Sequence, residues 1–134
     1  FYKAEIEREG SDITLVATMK MLDLAHDAAK SLEKEGVSVE IIDPRTLFPI
    51  DKQTIKESVA KTNRLVIVQE GPKFMGAAAE ISAFVNEELF EYLESPIKRV
   101  TSLDAQVAFA PELENYIMPR SEHVVDACRE VMDF

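Results

Sequence analysis

The sequence predicts a three-layer α/β/α fold built on a five-stranded, mostly parallel sheet. Three observations carry it. The runs at residues 13–18 and 65–68 have the apolar, β-branched composition of buried strands, and residues 37–42 are a further β-branched strand. Stretches of helical periodicity separate these runs, and strand–helix alternation calls for right-handed parallel crossovers. Residues 3–9 alternate instead, with Ala4, Ile6 and Arg8 opposite Lys3, Glu5, Glu7 and Glu9, which suits a half-exposed edge strand.

Each element follows in order. Gly10-Ser11 turns the edge strand into the first buried one. Over residues 19–35 the period changes: Met21, Leu22, Ala25, Ala28, Ala29 and Leu32 recur at helical spacing, and Gly36 stands where a C′ glycine ends a helix. The strand at 37–42 is broken by Asp43-Pro44-Arg45, since proline cannot donate to a ladder. A second helix is expected over 51–62, with Asp51 as N-cap and Ile50 stapled to Ile55. Glu70-Gly71-Pro72 turns the chain after the strand at 65–68, and a long helix is expected over 75–93. After Pro96 comes a strand at 97–101. Residues 102–120 read as irregular, with Pro111 and Pro119 as breakers. Ser121 is expected to cap a last helix that turns Val124, Val125, Cys128, Val131 and Met132 inward.

The 134 residues suffice for one hydrophobic core, so residues 1–134 are read as one domain. With 46% apolar and 30% charged residues, the chain is neither disordered nor built of membrane spans. Twenty-five acidic against 15 basic residues give a net charge of −10, which repels nucleic-acid phosphates and anionic membranes. A single cysteine, Cys128, forms no internal disulfide and no cysteine-based zinc site. The chain opens at Phe1, without an initiator methionine, directly into strand-like sequence. It reads as a piece of a longer protein or a processed chain.

Catalytic constellations are weak. His26 and His123 are the only histidines, and both read as surface or helix-end residues. Cys128 lies on an apolar helix face, where burial raises a thiol pKa and silences it. The segment Gly71 to Gly76 sits between a strand and a helix, where dinucleotide folds bind phosphate, but it lacks G-x-G-x-x-G and Pro72 removes a donor. No EF-hand loop or i, i+4 histidine pair is present. No catalytic, cofactor-binding or metal-binding residue is therefore assigned.

One charge feature is unusual. Between Phe74 and Ile97 there is no Lys or Arg, yet Glu80, Glu87, Glu88, Glu91 and Glu94 all occur. Glu87, Glu91 and Glu94 would share a face near the end of the expected helix. Negative charge there opposes the helix dipole at about 0.3–1 kcal/mol per residue. A solvated face and a docking surface for a basic partner are both consistent with it.

Several segments together carry a family resemblance. The stretch Val39-Glu40-Ile41-Ile42-Asp43-Pro44-Arg45-Thr46-Leu47-Phe48-Pro49-Ile50-Asp51 resembles the D-(L/P)-R-T-L-x-P-(L/I)-D segment of transketolase C-terminal domains. It is more similar still to that of the beta subunits of thiamine-diphosphate-dependent 2-oxo acid and acetoin dehydrogenases. Arg8-Glu9-Gly10-Ser11-Asp12-Ile13-Thr14 resembles the family's R-E-G-x-D-(V/I)-T. Lys61-Thr62-Asn63-Arg64-Leu65-Val66 resembles its K-T-G-R-(L/A)-(V/I), and Ser95-Pro96-Ile97-Lys98-Arg99-Val100-Thr101 its (A/S)-P-(I/V)-x-R-V-(T/A). The ending, Arg129 to Phe134, is similar to that of some members. Two segments depart from the pattern: Ala17-Thr18-Met19 stands where Tyr-Gly is frequent, and Met75-Gly76-Ala77-Ala78-Ala79-Glu80 where Gly-Gly-x-Gly-x-Glu is frequent.

The resemblance implies a mostly parallel five-stranded sheet with one antiparallel edge strand. It implies a parent enzyme that decarboxylates pyruvate or another 2-oxo acid, or cleaves acetoin, with acyl transfer to lipoamide. Thiamine diphosphate and magnesium would be held elsewhere in that enzyme, leaving this domain inactive alone. The implied partners are an alpha subunit, a second beta subunit, and the peripheral subunit-binding domain of the acyltransferase core. The implied docking residues are Glu94 and Phe134, with Glu91 and Asp133 added by charge proximity. Arg45 is a subunit-interface candidate, expected to be buried with fixed partners. The implied compartment is a bacterial cytoplasm or an organellar matrix. A one-chain transketolase-type enzyme and a free-standing anion- or nucleotide-binding module are the alternatives.

Overall fold

The computed structural model describes residues 2–106 and 109–134. Strands β1 (Glu5–Arg8), β2 (Ile13–Ala17), β3 (Val39–Asp43), β4 (Leu65–Pro72) and β5 (Lys98–Ser102) form one sheet in the order β1-β3-β2-β4-β5. β1 runs antiparallel to β3 at the edge, and the other pairs are parallel. The expected architecture is therefore observed, edge strand included. Helices α1 (Met21–Glu33) and α5 (Ser121–Asp133) cover one face. Helices α2 (Lys52–Thr62) and α3 (Ala77–Leu89) cover the other.

The period-two geometry of a strand explains the two cores. Ile13, Leu15 and Ala17 of β2, with Val39 and Ile41 of β3, meet Ala25, Ala28, Leu32, Val124 and Cys128. Val16, Ile42, Leu65 and Ile67 point the other way, onto Ile55, Val59, Ile81 and Phe84. Thr14 lies on that second face fully buried, and its hydroxyl meets Ser58 Oγ and Thr62 Oγ1 at 2.7 Å each. The pairing satisfies three buried hydroxyls without water.

The helix ends show how local sequence sets the boundaries. Gly36 adopts φ +80°. Its N–H bonds the Glu33 carbonyl at 3.0 Å, and the Val37 N–H bonds that of Leu32 at 3.0 Å, the two bonds of a Schellman motif. Asp51 caps α2: Oδ1 accepts the Thr54 N–H at 3.1 Å, and Oδ2 accepts the Thr54 hydroxyl at 2.6 Å and the Ala4 N–H at 2.9 Å. The third bond ties β1 to α2. Burial pushes the Asp51 carboxyl up, but the bonds from Thr54 and Ala4, and nearby Lys3, outweigh it and hold its pKa below the ordinary value. Asp51→Ala is expected to cost about 1–2 kcal/mol in urea melts at neutral pH. Because the folded pKa is lowered, the contribution is complete above the unfolded value and is lost as pH falls through the folded one. The gap between wild type and Asp51→Ala should therefore close below about pH 4.

Four expectations are corrected. β4 continues through Glu70-Gly71-Pro72, and Pro72 pairs with Ser102 beyond a bulge. Gln69 sustains it by donating to the Gly71 and Pro72 carbonyls at 3.2 and 2.6 Å. α3 stops at Leu89, four residues early, and gives way to a 3-10 turn at Phe90–Tyr92. Residues 102–120 hold a short helix, α4 (Pro111–Ile117), which Pro111 begins rather than breaks, since a first-turn proline lacks only a bond the helix could not make. Ser121 is the first residue of α5, not its cap. His123 Nδ1 instead accepts the Arg120 N–H at 3.1 Å. The irregular reading of residues 107 and 108 lies outside the described residues. Among the described residues, no helix is long and apolar enough to cross a membrane.

Candidate docking surface

The docking residues expected from sequence fall at the free end of α5 and the loop after α3. Past the end of α3 the chain is held by a residue distant in sequence. Asn63, in a left-handed conformation (φ 65°) between α2 and β4, donates from Nδ2 to the Tyr92 carbonyl at 2.7 Å. Its own carbonyl accepts the Glu94 N–H at 2.9 Å. Arg64 Nη2 then pairs with Glu94 Oε2 at 3.2 Å, and Arg64 Nε donates to the Val131 carbonyl in the last turn of α5 at 3.0 Å. Glu94, Asp133 and Phe134 are thus brought to one side of the molecule. Pro96, Lys98, Arg129, Glu130, Val131, Asp133 and Phe134 line a shallow hollow there.

The acidic stripe looks different in three dimensions. Glu87 lies in α3, Glu91 in the 3-10 turn and Glu94 beyond it, so they share no α-helical face. Cations absent from the local sequence arrive from other elements: Lys56 of α2 reaches Glu88 at 2.6 Å, and Arg64 of β4's approach reaches Glu94. Lys98 likewise meets Glu130 at 2.8 Å. Arg129 forks onto Glu35 at 3.1 and 2.9 Å and, by those bonds and its charge, holds that carboxyl below the usual range. Glu91, Asp133 and Phe134 are exposed, Phe134 by 81%.

Arg45 is not buried in this chain. It is exposed, left-handed (φ 62°), and ion-paired with Glu5 of β1, while its N–H bonds Asp43 Oδ1 at 2.8 Å. β1 and β3 are neighbours, so a residue just past β3 meets an edge-strand side chain at the surface. Arg45 belongs to a second feature that periodicity had not shown. The loops leaving the carboxyl ends of β2, β3 and β4 carry Met19, Phe48, Phe74 and Met75, between 76% and 98% exposed. Met19 and Met75 also hold φ of 53° and 58°, a conformation costly to a side chain. The signal in the sequence was weak: Phe48 and Phe74 stood outside the periodic stretches, while Met19 and Met75 were read as the first residues of helices that begin two residues later.

The turn that could have cradled phosphate is filled from within. Gln69 Oε1 accepts the Ala78 N–H at the start of α3 at 2.6 Å. The Gln69 amide packs so close to Gly76 that a Cβ there would fall 2.7 Å from its Oε1. An anion would have to expel a buried side chain. The other reactive groups are dispersed. His26 Nε2 lies 3.3 Å from Glu7, and His123 is engaged with Arg120. Cys128 is buried, and desolvation pushes its thiol up to about 12. Iodoacetamide is expected to leave the native chain unlabelled at pH 8 and to label it once unfolded, as mass spectrometry would read.

The comparisons with known proteins agree with the fold. The family model for "Transketolase, C-terminal domain" matches residues 2–124. The mitochondrial pyruvate dehydrogenase E1 component subunit beta of Dictyostelium discoideum is 43% identical over 129 residues, covering 96% of this chain and 36% of that protein. The acetoin:2,6-dichlorophenolindophenol oxidoreductase subunit beta of Bacillus subtilis (strain 168) is 39% identical, covering 97% of this chain and 38% of that protein. A solved split-gene transketolase, described as an inactive beta4 tetramer, superposes with a TM-score of 0.84 at 27% identity, covering 98% of this chain and 41% of that one. The chain thus spans well under half the length of these relatives. It belongs to the transketolase C-terminal domain family.

Proposed function

We propose that this domain is part of the beta subunit of a thiamine-diphosphate-dependent dehydrogenase acting on pyruvate, another 2-oxo acid or acetoin. Its part is assembly and docking rather than catalysis. The observation that carries this reading is identity of about two residues in five, over nearly the whole chain, to beta subunits of pyruvate and acetoin enzymes. The parent reaction is oxidative decarboxylation, or acetoin cleavage, with acyl transfer to lipoamide. The compartment is a bacterial cytoplasm or an organellar matrix.

The diphosphate–magnesium site is placed outside this domain by this reading. Gln69 occupies the start of α3, and among the described residues no group of three or more His, Cys, Asp or Glu is placed to hold a metal ion. No chemical step is therefore assigned to this domain. The apolar rim of Met19, Phe48, Phe74 and Met75 supports a role in joining the alpha subunit and a second beta subunit, since exposed apolar groups of this size mark interfaces. Arg45 stands beside that rim as the candidate polar contact. Glu94, Glu91, Asp133 and Phe134 form the candidate dock for the basic peripheral subunit-binding domain of the acyltransferase core.

Two measurements test the reading. Thiamine diphosphate, magnesium and pyruvate or acetoin added to this chain should give no turnover, and any turnover rejects a docking-only role. A basic peripheral subunit-binding domain should bind the chain with affinity that falls steeply with salt and with Glu94→Lys. Salt-independent binding would mean that the acidic residues are merely solvated. The likeness to the split-gene transketolase favours a second reading, a transketolase-type parent. Ketol transfer between sugar phosphates by the parent enzyme, without acyl transfer to lipoamide, would select it.

A further inference from the structure

We propose that Arg64 is the positioning residue of the docking surface, clamping the end of α5 to the segment around Glu94 so that both face one basic partner. The proposal rests on the docking reading above. The last carbonyls of a helix have no intrahelical donor, and α5 has no basic residue in its own last turn. Arg64 supplies both from another element: Nε donates to the Val131 carbonyl at 3.0 Å, and the guanidinium charge sits at the negative end of the helix dipole. The other arm of the same planar group holds Glu94 Oε2 at 3.2 Å. A guanidinium can hold two acceptors in fixed directions at once, whereas an ammonium is a point charge without that fork. Asn63, one residue earlier, fixes the same segment through the Tyr92 carbonyl and the Glu94 N–H. The turn between α2 and β4 thus joins two parts of the chain that are otherwise separate in sequence.

Arg64 also makes the surface selective. Its side chain is only 22% exposed, so a partner cannot readily displace it from Glu94. A partner's cations are left the other Glu94 oxygen and the exposed Asp133, on a side that also carries Lys98 and Arg129. A loose polycation gains little from that arrangement, and a folded basic domain with two fixed cations gains both contacts.

Electrostatics alone and positioning predict opposite signs, which makes the test sharp. Removing a positive charge from an acidic surface should by itself tighten a basic partner. Positioning predicts that Arg64→Gln weakens a basic peripheral subunit-binding domain about five- to tenfold. Arg64→Lys, which keeps the charge but not the fork, should recover part of that loss. Binding is measured by calorimetry at low salt, on chains shown by circular dichroism to be folded. Hydrogen exchange should accelerate about tenfold at Glu94, Met132 and Asp133 in Arg64→Gln, with β2 unchanged. Unchanged or tighter binding by Arg64→Gln overturns the positioning role. Unchanged exchange overturns the clamp. If the unaltered chain binds no basic domain, the docking reading itself fails, and the exchange result alone decides whether Arg64 joins the two segments.

Discussion

Gly10→Ala is expected to cost roughly 2–4 kcal/mol, read as a lower urea midpoint at unchanged slope. Gly10 lies in the turn between β1 and β2, packed against the backbone of β3. A methyl group there would overlap the Val39 carbonyl carbon and the Glu40 nitrogen, and would sit 2.6 Å from the Val39 oxygen. The obstacle is strand backbone, not the tip of a side chain, and Val39 is paired with Ile13 of β2. Nothing can yield without opening the parallel ladder. Backbone conformation plays no part at Gly10, and the position is closed by crowding alone. Gly71→Ala is the control: the nearest atom to its new methyl is the Gln69 amide nitrogen at 3.9 Å, an ordinary contact. A Gly10→Ala chain within about 0.5 kcal/mol of wild type would show that the turn moves away from β3 freely.

Elements whose causes are local were readable from sequence, and those with distant causes were not. β2 was legible because all of Ile13–Ala17 is buried, and a strand enclosed on both sides must be apolar throughout. The start of α2 was legible because Asp51 acts on Thr54, three residues on. The course of the chain past α3 was not, because it is held by Asn63, 29 residues from Tyr92. Pro111 misled for a different reason: a proline stops a helix that precedes it and starts one that follows, and the residue alone does not say which. The acidic stretch after Phe74 looked uncompensated because a window of sequence sees only its own charges. The fold carried Lys56 and Arg64 to it. Of the candidate docking residues, Glu94, Asp133 and Phe134 fall on one side, but Arg64, which bonds both segments, was visible only as part of a strand motif.

Lys61→Ala is expected to be costly for so exposed a residue, because its partner is not exposed at all. Glu40 is the second residue of β3, 1% exposed, on the face covered by α2. Its Oε1 accepts from Lys61 Nζ and from the Gly10 N–H at 3.3 Å, and Oε2 has no hydrogen-bond partner among the described residues. Removing Lys61 leaves a carboxylate out of water with one weak bond. Breaking a fully buried pair costs roughly 3–5 kcal/mol. The Lys61 side chain is 45% exposed, so water can partly replace it, and about 2–3 kcal/mol is the expected loss. Replacing both partners should behave otherwise. Glu40→Leu with Lys61→Met removes the buried charge together with its counter-ion, and is expected within about 1 kcal/mol of wild type, or above it. The rescue separates a charge that stabilises from a charge that is merely tolerated. If Lys61→Ala is silent, the Gly10 N–H alone suffices for Glu40. The same geometry couples the two sites: Gly10→Ala pushes on the nitrogen of the residue whose carboxylate its own N–H holds. The Gly10→Ala and Lys61→Ala losses should therefore depart from additivity by more than about 0.5 kcal/mol in a double-mutant cycle, and simple addition would show that the turn and the ion pair act independently.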